Sequence, residues 1–320
     1  MKNIHNVPLV RVPLVRIFGI IALVALIGFT LAGCESREQR AERERIEAEQ
    51  RALAEIEEAI QNGDLSVIEE KLSTASPELV ETAVLMALDL VNDGRGAFEV
   101  FNAIYSAGSP DIAAVLTQSH GNPSGDFGFA FNSAGDGVVI NYYNGNGGVV
   151  IIPAEIDGYP VVEIAARAFS GALMETNTRT GARRHVGRNV QGNRFIQATN
   201  PSDRNARASR LITTLIIPDT VTTIGHYAFN NMTELRSLTL SRNLALIPFG
   251  MSNGNANLAE LKNIPPNVSF ETYRLQDRFN PIADNYTYTN VAHSRAFINN
   301  GKLPLPVRRQ LEEAGYRDGF

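Results

Sequence analysis

The chain has 320 residues, 44% hydrophobic and 20% charged, with 29 basic against 34 acidic side chains, a net charge of −5 and a pI near 5.6. This composition supports a buried core, excludes a disordered chain and argues against nucleic-acid binding by the chain as a whole. The one cysteine, Cys34, excludes an internal disulfide framework and a Cys-based structural zinc site.

Lys2, Arg11 and Arg16 form a basic leader, followed by the uncharged run 17–33, IFGIIALVALIGFTLAG. No second apolar run is long enough to span a bilayer, which excludes a polytopic membrane protein. Basic, apolar, then small residues is the order of a secretory signal. The run ends in Leu31-Ala32-Gly33-Cys34, which resembles the bacterial lipobox. That resemblance implies cleavage before Cys34 and lipidation of its sulfur. The mature chain would then be lipid-anchored in a bacterial cell envelope, facing the surface or the periplasm. An ordinary signal peptide and a retained anchor helix remain the alternatives. Removing 1–33 leaves 26 basic against 34 acidic residues, a charge of −8.

Residues 34–58 are almost all Glu, Arg, Ala and Gln, good helix formers, and predict a solvated helical tether. Ile46, Leu53 and Ile60 recur every seven residues, a seam too short to define a coiled coil. Asn62-Gly63 is a helix stop, and Ser76-Pro77 and Ser109-Pro110 are helix starts. Val80, Ala83, Val84, Ala87, Leu88 and Val91 form one helical face, and Phe98, Phe101, Ile104 and Tyr105 another. Residues 59–120 therefore predict a small all-α region of four or five helices. Asn62-Gly63-Asp64-Leu65 with Val67, Ile68 and Leu72 is similar to ankyrin helices, although the Thr-Pro-Leu-His signature is absent; a helical bundle of its own kind is the alternative.

A fixed period then sets in. Ile212, Leu235 and Leu258 are 23 apart, as are Leu215, Leu238 and Leu261, and as are Ile224 and Ile247. The string L-x-x-L-x-L recurs as Ile212, Leu215, Ile217, then Leu235, Leu238, Leu240, then Leu258, Leu261, Asn263. Such alternation predicts short strands that bury one face, stacked into a solenoid.

Ile217-Pro218, Val221, Ile224-Gly225, Ala228-Phe229 and Leu235 resemble the BspA-like leucine-rich repeats of bacterial surface proteins. Ile152-Pro153, Ile164 and Ala168-Phe169 match its usual first unit. Phe127, Phe129 and Phe131, the turn Gly135-Asp136-Gly137, and Val138, Ile140 and Tyr142 predict a hairpin cap before it. In the third unit Pro248-Phe249-Gly250 replaces the Ala-Phe turn, and Asn263 sits at a core position. The tail 303–320 looks like a C-terminal cap. The expected fold class is α+β: a signal (1–33), a tether (34–58), a helical region (59–120), a hairpin cap (121–148), leucine-rich repeats (149–270) and a C-terminal helical cap (271–320).

Two sites for partners follow. Ala168-Phe169 and Ala228-Phe229 are 60 apart, so about 37 residues are inserted within 171–210. That segment holds eight arginines against Glu175 and Asp203. Arg179, Arg183, Arg184, Arg188 and Arg194 are candidates for an anionic ligand such as a sulfated glycan, with a plain solvated loop as the alternative. Few apolar anchors make 176–205 dispensable for folding. Period 2 also sends Thr214, Ile216, Ser237, Thr239, Glu260 and Lys262 outward from the repeat core, a strip able to meet a protein partner or face plain solvent. His5, His120, His185, His226 and His293 lack metal spacing, and no nucleophile motif is present. The expectation is a non-enzymatic protein without cofactor or metal. The resemblance implies protein binding or adhesion, to host matrix or envelope protein; a structural envelope lipoprotein with an inert repeat body is the alternative.

Overall fold

A computed structural model describes residues 37–92, 98–108, 111–172, 174–176, 183–185, 203–280 and 285–320. The expected leader and the lipobox-like Leu31-Ala32-Gly33-Cys34 lie outside these residues. No helix among the described residues is long and apolar enough to cross a membrane.

Five helices come first: α1 (Arg37–Asn62), α2 (Leu65–Leu72), α3 (Pro77–Asn92), α4 (Phe98–Ala107) and α5 (Ile112–Ser119). Helix α1 is one continuous rod whose first buried side chain is Ile56, followed by Ala59 and Ile60. It ends as Asn62-Gly63 predicts. Gly63 adopts φ +68°, its N–H donates to Ile60 and that of Asp64 to Ala59, the two bonds that tie off a helix C-terminus. Asp64 then caps α2 by accepting from Ser66 and Val67, bonds that hold its carboxyl below the usual range. Ser76 accepts from Leu79 at the start of α3. Ser109 and Pro110 lie outside the described residues; α5 starts at Ile112 behind Asp111, whose carboxylate turns to Arg242 at 2.7 Å instead of capping the helix. The two predicted apolar faces meet in one core with Ile56, Ile68 and Leu116.

Four parallel strands follow in the order β12-β10-β8-β3: β3 (Gly148–Ile151), β8 (Ile212–Ile216), β10 (Ser237–Thr239) and β12 (Glu260–Lys262). Leu215 pairs with Leu238 and Leu238 with Leu261, so the sequence period is the structural register. Ile212, Leu215, Ile217, Leu235, Leu238, Leu240, Leu258 and Leu261 are all buried in one core. Asn263 departs from its predicted core position: it turns left-handed (φ +56°) and half-exposed, and Ile264 fills the core beside it.

The turns stack as regularly as the strands. The Tyr143 N–H donates to Ala168, Phe169 to Ala228, Phe229 to Met251 and Ser252 to Ala296, at 2.8–3.2 Å. In each of these turns a left-handed residue comes just before the accepting carbonyl: Arg167, Tyr227, Gly250 and Arg295. Met251 and Ser252 thus stand in for the missing Ala-Phe pair. Buried Asn255 donates to the Phe229 carbonyl and accepts from Met232, and Asn300 donates to Ser252 in the next turn.

The hairpin cap is β1 (Phe127–Phe131) and β2 (Val138–Tyr143), with β2 pairing in parallel with β5 (Tyr159–Ile164), which also pairs antiparallel with β4 (Glu155–Ile156) and in parallel with β9 (Thr223–Ile224). A bulge between Tyr142 and Ile140 opposite Gly128-Phe129 shifts the alternation by one. Tyr143 therefore enters the core and stacks on Phe169 at 5.6 Å, while the predicted Tyr142 stays on the surface. A short ladder, β11 (Leu246–Ile247) with β13 (Ser269–Phe270), continues the repeat.

The segment 271–320 is more than a cap. It opens with an antiparallel hairpin, β14 (Tyr273–Asn280) and β15 (Asn285–His293), which the sequence reading missed. A further Ala-Phe turn follows at Ala296-Phe297, 45 positions after Met251 rather than 23 because the hairpin intervenes. Beyond Leu303 the stack stops. Pro304 and Pro306 cannot donate to another strand, and the C-terminal helix Leu305–Glu313 closes the core with Leu311 and Tyr316.

Leu238→Ala should cost about 2–5 kcal/mol of unfolding free energy, because the buried site in the central strand cannot collapse. Urea melts of wild type and variant measure it; an unchanged midpoint would remove Leu238 from the core.

Candidate functional site

Helix α4 lies across the outward row of the repeat strands. The Tyr105 hydroxyl meets Thr239 Oγ1 at 2.9 Å, and burial pushes that hydroxyl up to about 12, so it bonds as a neutral phenol. Thr214 donates to Asn102. Ser106 donates to Glu260 at 2.7 Å, and Ser237 donates to the other oxygen of the same carboxylate at 3.0 Å. Lys262 donates to the Tyr105 carbonyl at 3.0 Å with its ammonium 4.3 Å from the ring centre, and burial lowers its pKa. Ile216 joins Val149 and Ile151 in the core of the helical region.

The strip that period 2 sends outward is thus already occupied. Thr214 and Ile216 are 0% exposed, Ser237 and Thr239 1%. The predicted partner-binding face is corrected: its partner is this chain's own helix. The side of each strand was legible, the covering element was not. One signal pointed to it. The outward residues of β8 and β10 carry no charge, and a parallel strand with two uncharged faces is normally covered on both.

Charged pairs surround this contact. Arg236 meets Glu99 at 2.6 Å and holds its carboxyl below the usual range. Arg242 bridges Asp219 at 2.5 Å and Asp111 at 2.7 Å, bonds that raise its pKa. Asn122 seals the free edge of β3: its N–H donates to Ile151 and its side chain accepts from Ile151, both at 2.8 Å.

Of the arginine-rich insert, Arg183 and Arg184 lie in β7 (Arg183–His185), paired with β6 (Met174–Thr176). Arg179, Arg188 and Arg194 lie outside the described residues. The insert ends earlier than its composition suggests. Asp203–Arg210 is a helix, α6, that belongs to the body: Asn205 donates to the Tyr143 carbonyl at 2.9 Å, Ala206 is buried, and Arg210 donates to Gly171 at 2.6 Å. Excision through Asn205 would remove that anchor.

Two histidine–carboxylate contacts sit on the turn side, His226 with Glu271 and His293 with Asp318, each 2.5 Å. Among the described residues no group of three or more His, Cys, Asp or Glu is placed to hold a metal ion.

No family model matches the chain, and no curated protein matches it. Two solved structures are similar to it. One is a leucine-rich-repeat protein of T. pallidum, 21% identical, with TM-score 0.27, covering 62% of this chain and 98% of that one. The other is a leucine-rich cell surface protein of Faecalibacterium prausnitzii, 17% identical, with TM-score 0.22, covering 44% of this chain and 42% of that one. The stacked parallel strands with their 23-residue register are read from this chain's own residues.

Ile216→Arg with Thr239→Arg should destabilise the protein by about 3–5 kcal/mol, because each arginine would be buried unpaired under α4. Thermal melts test this, and an unchanged melting temperature would show that the face is open. Deletion of 177–202 should leave the melting temperature close to wild type, since closing the shorter loop changes little. Ala206→Asp in α6 should lower it sharply.

Proposed function

We propose that this is a lipid-anchored protein of a bacterial envelope whose leucine-rich-repeat body binds a protein partner through a surface other than its strand face. Leu31-Ala32-Gly33-Cys34 supplies the anchor, and the wording of the units is similar to BspA-like repeats of surface proteins. The observation that carries the reading is α1. Residues 37–51 precede its first side chains packed on the body, Ala52 and Leu53, a helical spacer of about 22 Å on the Cys34 side of the packed body. Acyl chains contribute about 0.8 kcal/mol per buried methylene, enough for a multiply acylated cysteine to hold the body at a membrane.

The closed strand face favours a second reading, a structural envelope lipoprotein whose repeats bind nothing. Protease shaving of intact cells and capture of envelope or host-matrix proteins on the intact chain separate the two. For the anchor, labelled palmitate should enter wild type and be absent from Cys34→Ser, whose leader should stay uncut. Label persisting in the variant would overturn the anchor.

A further inference from the structure

Arg167, Tyr227, Gly250 and Arg295 hold one left-handed position in successive turns, so they form a row on the turn side at steps of about 4.8 Å. Gly250 makes room for its neighbour: a Cβ there would lie 2.3 Å from the Tyr227 ring. Phe249 packs edge-on against that ring at 5.7 Å, and the Arg167 guanidinium carbon stands 5.2 Å from its centre. Burial pushes the Tyr227 hydroxyl up to about 12 against the pull of Arg295 and Arg167, so the ring is neutral and its two neighbours are cations.

Neither guanidinium is salt-bridged to a carboxylate among the described residues. Arg167 is partly buried, and its pKa is lowered by that burial with only Tyr227 opposing it. Arg295 is partly buried too, and its Nε is sealed from solvent without a hydrogen bond. Arg236 and Arg242, by contrast, are salt-bridged. Two nearby carboxylates are already taken. Glu271 holds His226 and Tyr273, and Asp318 holds His293 and the Arg295 backbone N–H.

An unpaired, half-desolvated guanidinium is costly to keep and binds strongly when a planar oxyanion reaches it. Stacking on a tyrosine orients the fork in advance. We propose that Arg167, Tyr227 and Arg295 form the docking point for a carboxylate-rich segment of a partner protein, an inference that rests on the protein-binding reading above. Arginine and tyrosine are the residues that dominate protein interfaces. The ring is already packed by Arg167, Gly250 and Phe249, so it serves as a shelf for the cation, and recognition falls to the guanidinium forks, whose geometry matches a carboxylate.

The test uses the full chain in detergent micelles and a fluorescent oligoglutamate peptide, with oligoglutamine as reference. Anisotropy at low salt should show binding of oligoglutamate alone. Arg167→Gln with Arg295→Gln should weaken it at least about tenfold, while Arg204→Gln with Arg207→Gln, both at exposed positions of α6, should leave it unchanged. Arg167→Lys keeps charge and stem but loses the fork. It should weaken binding partway, and it carries the test if the double variant melts early. Equal binding of the two peptides, wild-type affinity in the double variant, or loss confined to the α6 pair would each overturn the site. A captured partner held equally by wild type and double variant would overturn the site and leave the protein-binding reading standing. Oligoglutamate binding intact with no partner captured would count against the reading instead.

Discussion

Each coil of this protein is held to the next by backbone bonds at its turns, Tyr143 to Ala168, Phe169 to Ala228, Phe229 to Met251 and Ser252 to Ala296. Because the donors and acceptors are main-chain atoms, side chains at these positions can change while the spacing stays. That is why Met251-Ser252 can replace Ala-Phe in the third turn. It is also why the cap must bulge: only a shift of one residue in β2 brings the Tyr143 N–H to Ala168 and its ring onto Phe169. Extra residues are expelled from the stack, into the arginine-rich insert and into the β14–β15 hairpin.

The second organising fact is that the parallel sheet is covered on both sides. The leucines of the repeat fill one side and the helical region the other, with Val149, Ile151 and Ile216 shared by the helices. The polar groups along the covered row are satisfied pair by pair, Tyr105 with Thr239, Thr214 with Asn102, and Glu260 with Ser106 and Ser237. A buried polar row with its partners in place specifies one arrangement of helix on sheet, since sliding α4 by one residue would orphan several groups at once. The strand face is thereby closed to a foreign protein.

Much of this was legible in the residues. The 23-residue interval named the strands and the inward leucines, the resemblance to BspA-like repeats pointed to the Ala-Phe turns, and Asn62-Gly63 and Ser76-Pro77 marked true helix ends. What was hidden depends on contacts distant in sequence. Thr214 and Thr239 read as outward, which they are; that α4 sits on them is set by Asn102 and Tyr105, more than a hundred positions away. Ala296-Phe297 repeats the turn motif plainly, but the hairpin moves it off the period. Helix α6 hid in a polar, arginine-rich stretch because its anchors, Asn205, Ala206, Ala208, Ser209 and Arg210, are small or polar. The row formed by Arg167, Tyr227 and Arg295 required knowing that these positions share one backbone conformation, which no pattern of hydrophobicity reports.

One helix, α4, touches three successive strands: β8 through Asn102, β10 through Tyr105, and β12 through Ser106 and the Tyr105 carbonyl. A stack of repeats ordinarily frays from its ends, one unit at a time, since each unit feels only its neighbours. A rod laid across three units abolishes that independence, because losing the outermost strand also costs the rod its footing on the inner two. Partly unravelled forms, the states in which strand edges aggregate and proteases cut, are thereby depopulated. An all-or-none response to stress keeps such a body either whole or lost, with little time spent in between.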